Sequence, residues 1–189
     1  MRYDESGNVI THFKGFEMAF GAFGRLVKVA LGPGKTIEYL YDHLGRLMAR
    51  LDRDDVTQFF YAFQDKPYLI SHAYKPISGS LTSLLYGPDD RLIYISRDER
   101  DYYVVCDRQA SPILVLTADE GTVVKEITRT PFGDVTYDSN QNLELPVGFQ
   151  GGYYDALTKL VHFQVRFVPP NGKSFQTHLH LNVLTQGVL

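Results

Sequence analysis

A recurring seven-residue phrase constrains the fold of this chain more than any other feature. Its pattern is Tyr-Asp-x-x-Gly-[Arg/Asn]-[Leu/Val], with a full copy at residues 41–47, a first copy at 3–9 and a degraded one at 86–92. Weaker echoes lie at 20–26 and 118–123. The aspartate can accept backbone hydrogen bonds within a turn, and the glycine tolerates the dihedral angles of a tight reversal. The phrase therefore predicts a hairpin turn.

The residues around the fullest copy alternate as in a pleated strand. We predict that each of two sets points to one side of its strand: Ile37, Tyr39 and Tyr41 before the turn, and Leu47, Ala49 and Leu51 after it. The turn positions 7, 24, 45, 90 and 121 are unevenly spaced, and Asp90 stands where the others have glycine. Uneven spacing argues against a strict solenoid and favours hairpins of varying length joined into one continuous sheet.

Twelve strands are predicted before about residue 137, with Pro and Gly at the joins. They are 9–14, 25–31, 36–41, 46–51, 56–63, 68–74, 81–86, 91–96, 102–107, 112–117, 122–129 and 134–137. The 13 Tyr and 12 Phe among 189 residues suit sheets better than helices. A net charge of −3 gives no electrostatic reason to expect nucleic acid as a partner. No apolar run approaches the roughly 18 residues of a membrane-spanning helix.

The sequence pattern of short strands and turns changes after residue 130. Pro131-Phe132-Gly133 is followed by a glycine-rich passage that starts at Gly148 and runs through Gly151-Gly152 and Tyr154-Asp155 to Val161. This passage resembles the core segment that closes the YD-repeat shell of Rhs proteins and teneurins. Further segments make the chain more similar to teneurins than to bacterial Rhs toxins: 41–47, 58–61, 106–107, 137–140 and 158–163.

The resemblance implies an all-β fold, an antiparallel β-hairpin YD-repeat shell that is a slice of a spiralled β-barrel. We expect YD-repeat hairpins over residues 1–129, an Rhs-associated core-like closing segment over 130–167 and a non-homologous, irregular tail over 168–189. The chain begins within a copy of the phrase, which suggests a C-terminal fragment of a larger shell. The resemblance also implies a single-pass membrane parent with this part outside the cell. Its partners would be homophilic teneurin contacts, latrophilin-type receptors and the rest of the YD shell.

The residues singled out by these motifs are expected to shape turns, with no catalytic, cofactor-binding or metal role. They are Tyr3, Asp4, Gly7, Tyr41, Asp42, Gly45, Arg46, Asp89, Arg91, Gly121, Gly151, Gly152, Tyr154 and Asp155. The phrase tyrosines are expected to pack against neighbouring strands.

Three patterns resemble ligand sites but are incomplete. Gly34-Lys35-Thr36 lacks the upstream glycine and the following helix of a phosphate-binding loop. Asp52, Asp54 and Asp55 could ligate Ca²⁺, but the segment has no glycine hinge or distal glutamate at the required spacing. His178-x-His180 offers two zinc ligands where at least three are normal.

Single reactive side chains are also interpreted as structural. Cys106 lies in a predicted strand and is expected to be a small core residue, because no base is evident that could activate it. His72 and His162 lie in apolar alternating runs and are expected to be structural histidines.

The leading functional hypothesis is a non-enzymatic structural and adhesion module of a teneurin-like receptor for cell–cell recognition and neuronal connectivity. One alternative is the encapsulating shell of a bacterial Rhs-type toxin. Another is a carbohydrate-binding surface, because exposed tyrosine and phenylalanine rings can stack on sugars.

Overall fold

The computed structural model describes residues 5, 10, 15–163 and 166–168. Strands form two antiparallel sheets, and the described residues contain no α-helix. The larger sheet has twelve strands: β1 (Glu17–Phe20), β2 (Leu26–Gly32), β3 (Lys35–Tyr41), β4 (Leu47–Asp52), β5 (Val56–Phe60), β6 (His72–Lys75), β7 (Ser80–Tyr86), β8 (Leu92–Arg97), β9 (Arg100–Cys106), β10 (Pro112–Thr117), β11 (Val123–Arg129) and β12 (Val135–Asp138). The smaller sheet has three: β13 (Tyr153–Asp155), β14 (Leu160–Phe163) and β15 (Arg166–Val168). The predicted all-β antiparallel fold is confirmed.

The larger sheet is an open meander in which each strand pairs with the next one in the chain. Because antiparallel strands reverse at every connection, alternate connections emerge at the same edge. We call one edge the phrase rim; it carries the connections β1–β2, β3–β4, β5–β6, β7–β8, β9–β10 and β11–β12. The other edge is called the opposite rim. All described copies of the phrase from residue 20 to residue 92 lie on the phrase rim.

The predicted strands agree with the observed ones within about two residues over most of the sheet. The main error is the β5–β6 connection, which was predicted as strand at 61–63 and 68–71. Pro67 lies in this connection, and proline cannot donate to a ladder hydrogen bond. Strand β1 and the three strands of the smaller sheet were not predicted. The predicted strand 9–14 falls mostly outside the described residues.

The predicted alternation around the fullest phrase is correct before the turn, but after it only Ala49 and Leu51 share a face. Tyr39 is opposite Arg50, and Tyr41 is opposite Leu47, but Ala49 is opposite Leu40. Directly opposed residues share a face, so Leu47 and Ala49 lie on opposite faces. The cause is a bulge beside the turn, where the register shifts between Leu40 and Tyr41.

One face of the larger sheet, the inner face, is covered by the segment 139–163, which we call the brace. After β12 the brace returns across the sheet and contributes β13 and β14. Apolar side chains from both parts form a single cluster that includes Ile37, Tyr39 and Phe59 from the sheet and Tyr153 and Leu160 from the brace. Tyr153 packs edge-on against Phe59, with ring centroids 4.7 Å apart.

Candidate functional site

The phrase folds into one five-residue turn that recurs along the chain. In the full copy the Asp42 N–H donates to the Arg46 carbonyl at 3.0 Å, and the Gly45 N–H donates back to the Asp42 carbonyl at 3.0 Å. The same two hydrogen bonds close turns that begin at residues 21, 42, 87, 107, 130 and 148. The fourth residue of every turn has a positive φ, from 61° at Asp90 to 93° at Gly133. This combination of a tight turn and a left-handed residue fits the twist of antiparallel strands.

The side chain at the first turn position reinforces the reversal. Oδ1 of Asp42 accepts the backbone N–H of Leu44 at 3.0 Å and that of Arg46 at 2.9 Å. Asp107 holds its turn in the same way, with bonds of 2.8 and 2.9 Å. Thr130 accepts the N–H of Asp134 at 3.1 Å. Burial acts to raise the pKa of Asp42, but hydrogen bonds from Arg46 outweigh it, and the pKa is lowered overall.

The residue before a phrase-rim connection ties its hairpin to the preceding one, and at three of these positions it is a tyrosine. The Tyr41 hydroxyl donates to the Leu26 carbonyl at 2.7 Å, directly after the previous turn. The hydroxyl of Tyr61 donates to the carbonyl of Leu47 at 2.8 Å. Three further bonds continue the series: Tyr86 to Ile70, Cys106 to Leu92 and Arg129 to Pro112. Each rung of this tyrosine ladder ties a hairpin to the backbone of its predecessor.

Three of the turns end in an arginine, and its side chain reaches the other way, toward the next connection on the phrase rim. The guanidinium of Arg46 donates to the Pro67 carbonyl at 2.8 Å and lies over the Tyr61 ring. Arg91 donates to the Arg108 carbonyl at 3.4 Å. The guanidinium of Arg25 lies so close to Gly45 that a Cβ there would be 2.2 Å from Nη2. These three arginines form an arginine ladder, which joins neighbouring connections of the phrase rim in addition to the tyrosine ladder.

The brace is fixed to the sheet by a buried polar cluster around Asp155. Oδ2 of Asp155 accepts the Arg50 guanidinium at 2.7 Å and the Tyr39 hydroxyl at 2.8 Å. Oδ1 accepts the backbone N–H of Leu157 and Thr158, which closes the turn between β13 and β14. The Asp155 side chain is fully buried, and that of Arg50 is 8% exposed. The same aspartate therefore shapes its own turn and binds strands more than a hundred residues away.

Other contacts attach the brace at intervals across the sheet. Glu144 pairs with Lys75 at 2.7 Å, and the Gln150 N–H donates to Ser111 Oγ at 3.0 Å. The His162 ring packs against the Tyr41 ring with centroids 5.7 Å apart. Burial, aided by the nearby Arg25 charge, lowers the pKa of His162 to about 4. The imidazole is neutral at pH 7 and acts as a core residue.

The incomplete ligand motifs form ordinary structure. Gly34 has a φ of 71° in the β2–β3 turn, and Lys35 opens β3. Asp52 and Asp55 pair with Arg50 and Lys75 at 3.5 and 3.2 Å. Within the described ranges, no group of three or more His, Cys, Asp or Glu side chains is arranged to hold a metal ion. His178 and His180 lie outside these ranges.

Cys106 occupies a tyrosine position of the ladder. Its thiol donates to the Leu92 carbonyl at 3.3 Å, and the residue packs against the core cluster. Burial raises the pKa of the thiol to about 11, so the nucleophilic thiolate is scarce at pH 7. His72 is half-buried, with Nδ1 2.9 Å from Ser71 Oγ.

The predicted turn residues divide between three places. Tyr41, Asp42, Gly45, Arg46, Asp89 and Arg91 lie at the phrase rim, while Gly151, Gly152, Tyr154 and Asp155 belong to the brace. Gly121 lies on the opposite rim, in a turn that its N–H closes on the Thr117 carbonyl. Tyr3, Asp4 and Gly7 are outside the described residues.

Sequence reasoning missed two kinds of functional residue. The turns beginning at Asp107 and Thr130 were not recognised as copies, although Asp107 follows the ladder residue Cys106 and Gly133 occupies the expected fourth position. Arg50 was also missed. Its only sequence signal is a charge between the apolar residues Ala49 and Leu51, and nothing local indicates that Asp155 is its partner.

These features define a structural shell segment made of hairpin repeats. The family described as Teneurin YD-shell matches residues 1–178 of the chain. Teneurin-1 of Gallus gallus is 40% identical over 135 residues, covering 70% of this chain. Teneurin-3 of Danio rerio is 38% identical over 170 residues, covering 87%. The chain belongs to the teneurin YD-shell family, and it spans 5% and 6% of the length of these two relatives.

Solved structures support the fold independently. The crystal structure of TcdB2-TccC3 without its hypervariable C-terminal region superposes with a TM-score of 0.68 at 15% identity. The complex TcdB2-TccC3-Cdc42 gives a TM-score of 0.66 at the same identity. Each match covers 89% of this chain and 9% of the other. No helix within the described part of the chain is long and apolar enough to cross a membrane.

Proposed function

We propose that this chain is a non-enzymatic wall segment in the extracellular YD shell of a teneurin-like, single-pass membrane receptor for cell–cell recognition, including neuronal connectivity. The observation that carries the proposal is the use of the phrase residues. The polar groups of Asp42, Tyr41 and Arg46 form hydrogen bonds within the turn or to neighbouring hairpins. Identities of 34–41% to teneurins support the receptor class.

Partner binding would depend on the shell as a rigid support. The partners we propose are other parts of the same shell, a second teneurin in homophilic contact, and latrophilin-type receptors. Exposed side chains are available for such contacts at the turn tips, where Phe23 is 90% and Phe132 60% exposed.

Cell-aggregation and latrophilin-binding assays on the complete ectodomain would test the proposal. One form carries residues 1–167, a second lacks them, and a third carries Phe23→Ser with Phe132→Ser. We expect the deletion to abolish both activities while the upstream modules remain displayed on the cell surface. The double serine variant separates a contact role from a support role, because it leaves both turns closed. Normal aggregation and receptor binding after the deletion would contradict the proposed function.

The rival function is the encapsulating shell of an Rhs-type toxin. It is favoured only by the likeness to TcdB2-TccC3, which at 15% identity concerns the fold. The coding sequence around this chain discriminates between the two. A membrane-spanning helix and cysteine-rich modules upstream would support the receptor, whereas a nuclease-like domain downstream with an adjacent immunity protein would support the toxin.

We further propose the division into hairpins at 1–129, a closing segment at 130–167 and a tail at 168–189. The first strand after residue 129, β12, still pairs with β11, and the brace begins only after Asp138. The family match continues to residue 178, so the first part of the proposed tail lies within it. Limited proteolysis with mass spectrometry would locate these boundaries as the first cleaved bonds.

A further inference from the structure

The brace does not touch the inner face continuously. A cavity of about 630 Å³ lies between the brace and the part of the sheet near the opposite rim. Its walls carry buried polar side chains from the sheet, including Thr57, Thr82 and Lys125. A space bounded by polar groups near an open edge suits water better than packed side chains. The cavity therefore interrupts the contact between brace and sheet.

Around this cavity the brace is attached by separate polar contacts. Asp155 binds Arg50 and Tyr39, and Glu144 binds Lys75. The Asn140 carbonyl accepts the Lys125 ammonium. All of these contacts use side chains of the sheet, whereas successive strands of the sheet are joined by backbone ladders.

The brace also keeps hydrogen bonds of its own. Strands β13 and β14 pair with each other, and a bridge joins Val147 to Tyr153. The turn that begins at Gly148 closes on Gly152 at 2.7 Å. Lifting the brace away would leave these bonds intact, because both partners move together. The sheet would likewise keep its ladders and both side-chain ladders along the phrase rim.

We propose that the brace opens from the inner face as one unit while the twelve-stranded sheet stays formed, and that the Asp155 cluster is its latch. Local opening occurs in contiguous cooperative units, which often coincide with supersecondary motifs, at a free energy that can lie below that of global unfolding. Asp155 is the strongest attachment, since it is a fully buried carboxylate bound to a guanidinium and a phenol. Opening would uncover Phe59 and the cavity walls, and so would give the shell a second, less populated state with an accessible interior.

Hydrogen exchange on the full chain, followed by mass spectrometry of peptides, tests this inference. In the unaltered protein we expect amides of β13 and β14 to exchange faster than those of β3, β4 and β8. Asp155→Asn keeps the shape of the side chain and removes its charge. It should accelerate exchange in the brace by roughly tenfold or more, with little change in the sheet. Tyr39→Phe removes one bond and keeps the ion pair, so its effect on the brace should be smaller.

Glu38→Gln is the matched control. It also removes an ion pair of β3, with Lys28 at 2.9 Å, but this pair is exposed and lies away from the brace. It should change neither set of amides. Equal protection of brace and sheet in the unaltered protein would overturn the proposal, as would equal acceleration of both by Asp155→Asn. An Asp155→Asn protein whose brace exchanges at the original rate would show that the latch is elsewhere, and would also overturn it.

Discussion

The sheet and the brace are stabilised in different ways. Each hairpin of the sheet repeats contacts with its immediate neighbours, through the tyrosine ladder and the arginine ladder. The brace depends on contacts that occur once and join residues far apart in the chain, above all Asp155 with Arg50. A lost repeat contact removes one of several similar bonds, whereas a lost latch leaves a buried charge alone. A single substitution should therefore lower stability more in the brace than in the sheet.

The largest effect should come from Arg50→Met. This change leaves the buried Asp155 carboxylate without its cation and should lower the free energy of unfolding by about 3–5 kcal/mol. Urea denaturation of the full chain measures it. Arg53→Met is the control, because Arg53 lies in the exposed turn that follows the same strand. It should change the free energy of unfolding by less than about 0.5 kcal/mol. Equal effects of the two variants would show that the Arg50–Asp155 contact contributes no more to stability than an exposed residue of the sheet.

The next effect concerns pH and the brace residue His162. Its pKa is lowered to about 4 in the folded protein, so the unfolded chain binds a proton more readily below pH 6.5. Stability from this group is complete above about pH 6.5 and is lost as the pH falls toward 4. The loss at pH 5 should be about 2 kcal/mol. Comparison of urea unfolding at pH 7 and pH 5 with that of His162→Gln isolates it; an unchanged pH dependence in the variant would refute the assignment.

A smaller effect is expected in the sheet from Gly45→Ala. Gly45 has a φ of 84°, where an alanine costs about 1–2 kcal/mol. The new Cβ also displaces the Arg25 guanidinium. Gly34→Ala is the control, because Gly34 has a φ of 71° but open space around it. The difference between the two melting temperatures therefore reports the contact between turns. If both variants lose the same stability, Arg25 contributes nothing to the coupling.

The smallest effect is that of one ladder rung. Tyr61→Phe removes the hydroxyl that donates to the Leu47 carbonyl and should cost about 1 kcal/mol. Tyr103→Phe, at a residue that is 53% exposed, should be nearly neutral. Both are measured by urea denaturation under identical conditions. A Tyr61→Phe protein as stable as Tyr103→Phe would show that ring packing, and not the hydrogen bond, accounts for the phrase tyrosine.

The same difference between regions explains what the sequence could reveal. Local chemistry fixes the turn at Asp42 and Gly45, so the strands around it were predictable to within a residue or two. The bulge at Leu47 was not, because it shifts the register without changing the composition of the strand. The Asp155 cluster was not predictable either. Its partners Tyr39 and Arg50 precede it by 116 and 105 residues, and a single sequence carries no signal of that pairing.

The two ladders run in opposite directions along the chain, and this gives the array a polarity. Some of the described positions lack the side chain for a rung: Phe20 stands in the tyrosine position without a hydroxyl, and Ser111 and Asp134 stand in the arginine position without a guanidinium. A hairpin inserted into the array would need a donor at both positions to be joined to each neighbour. Whole repeats that keep both donors could then be added or removed as exchangeable parts.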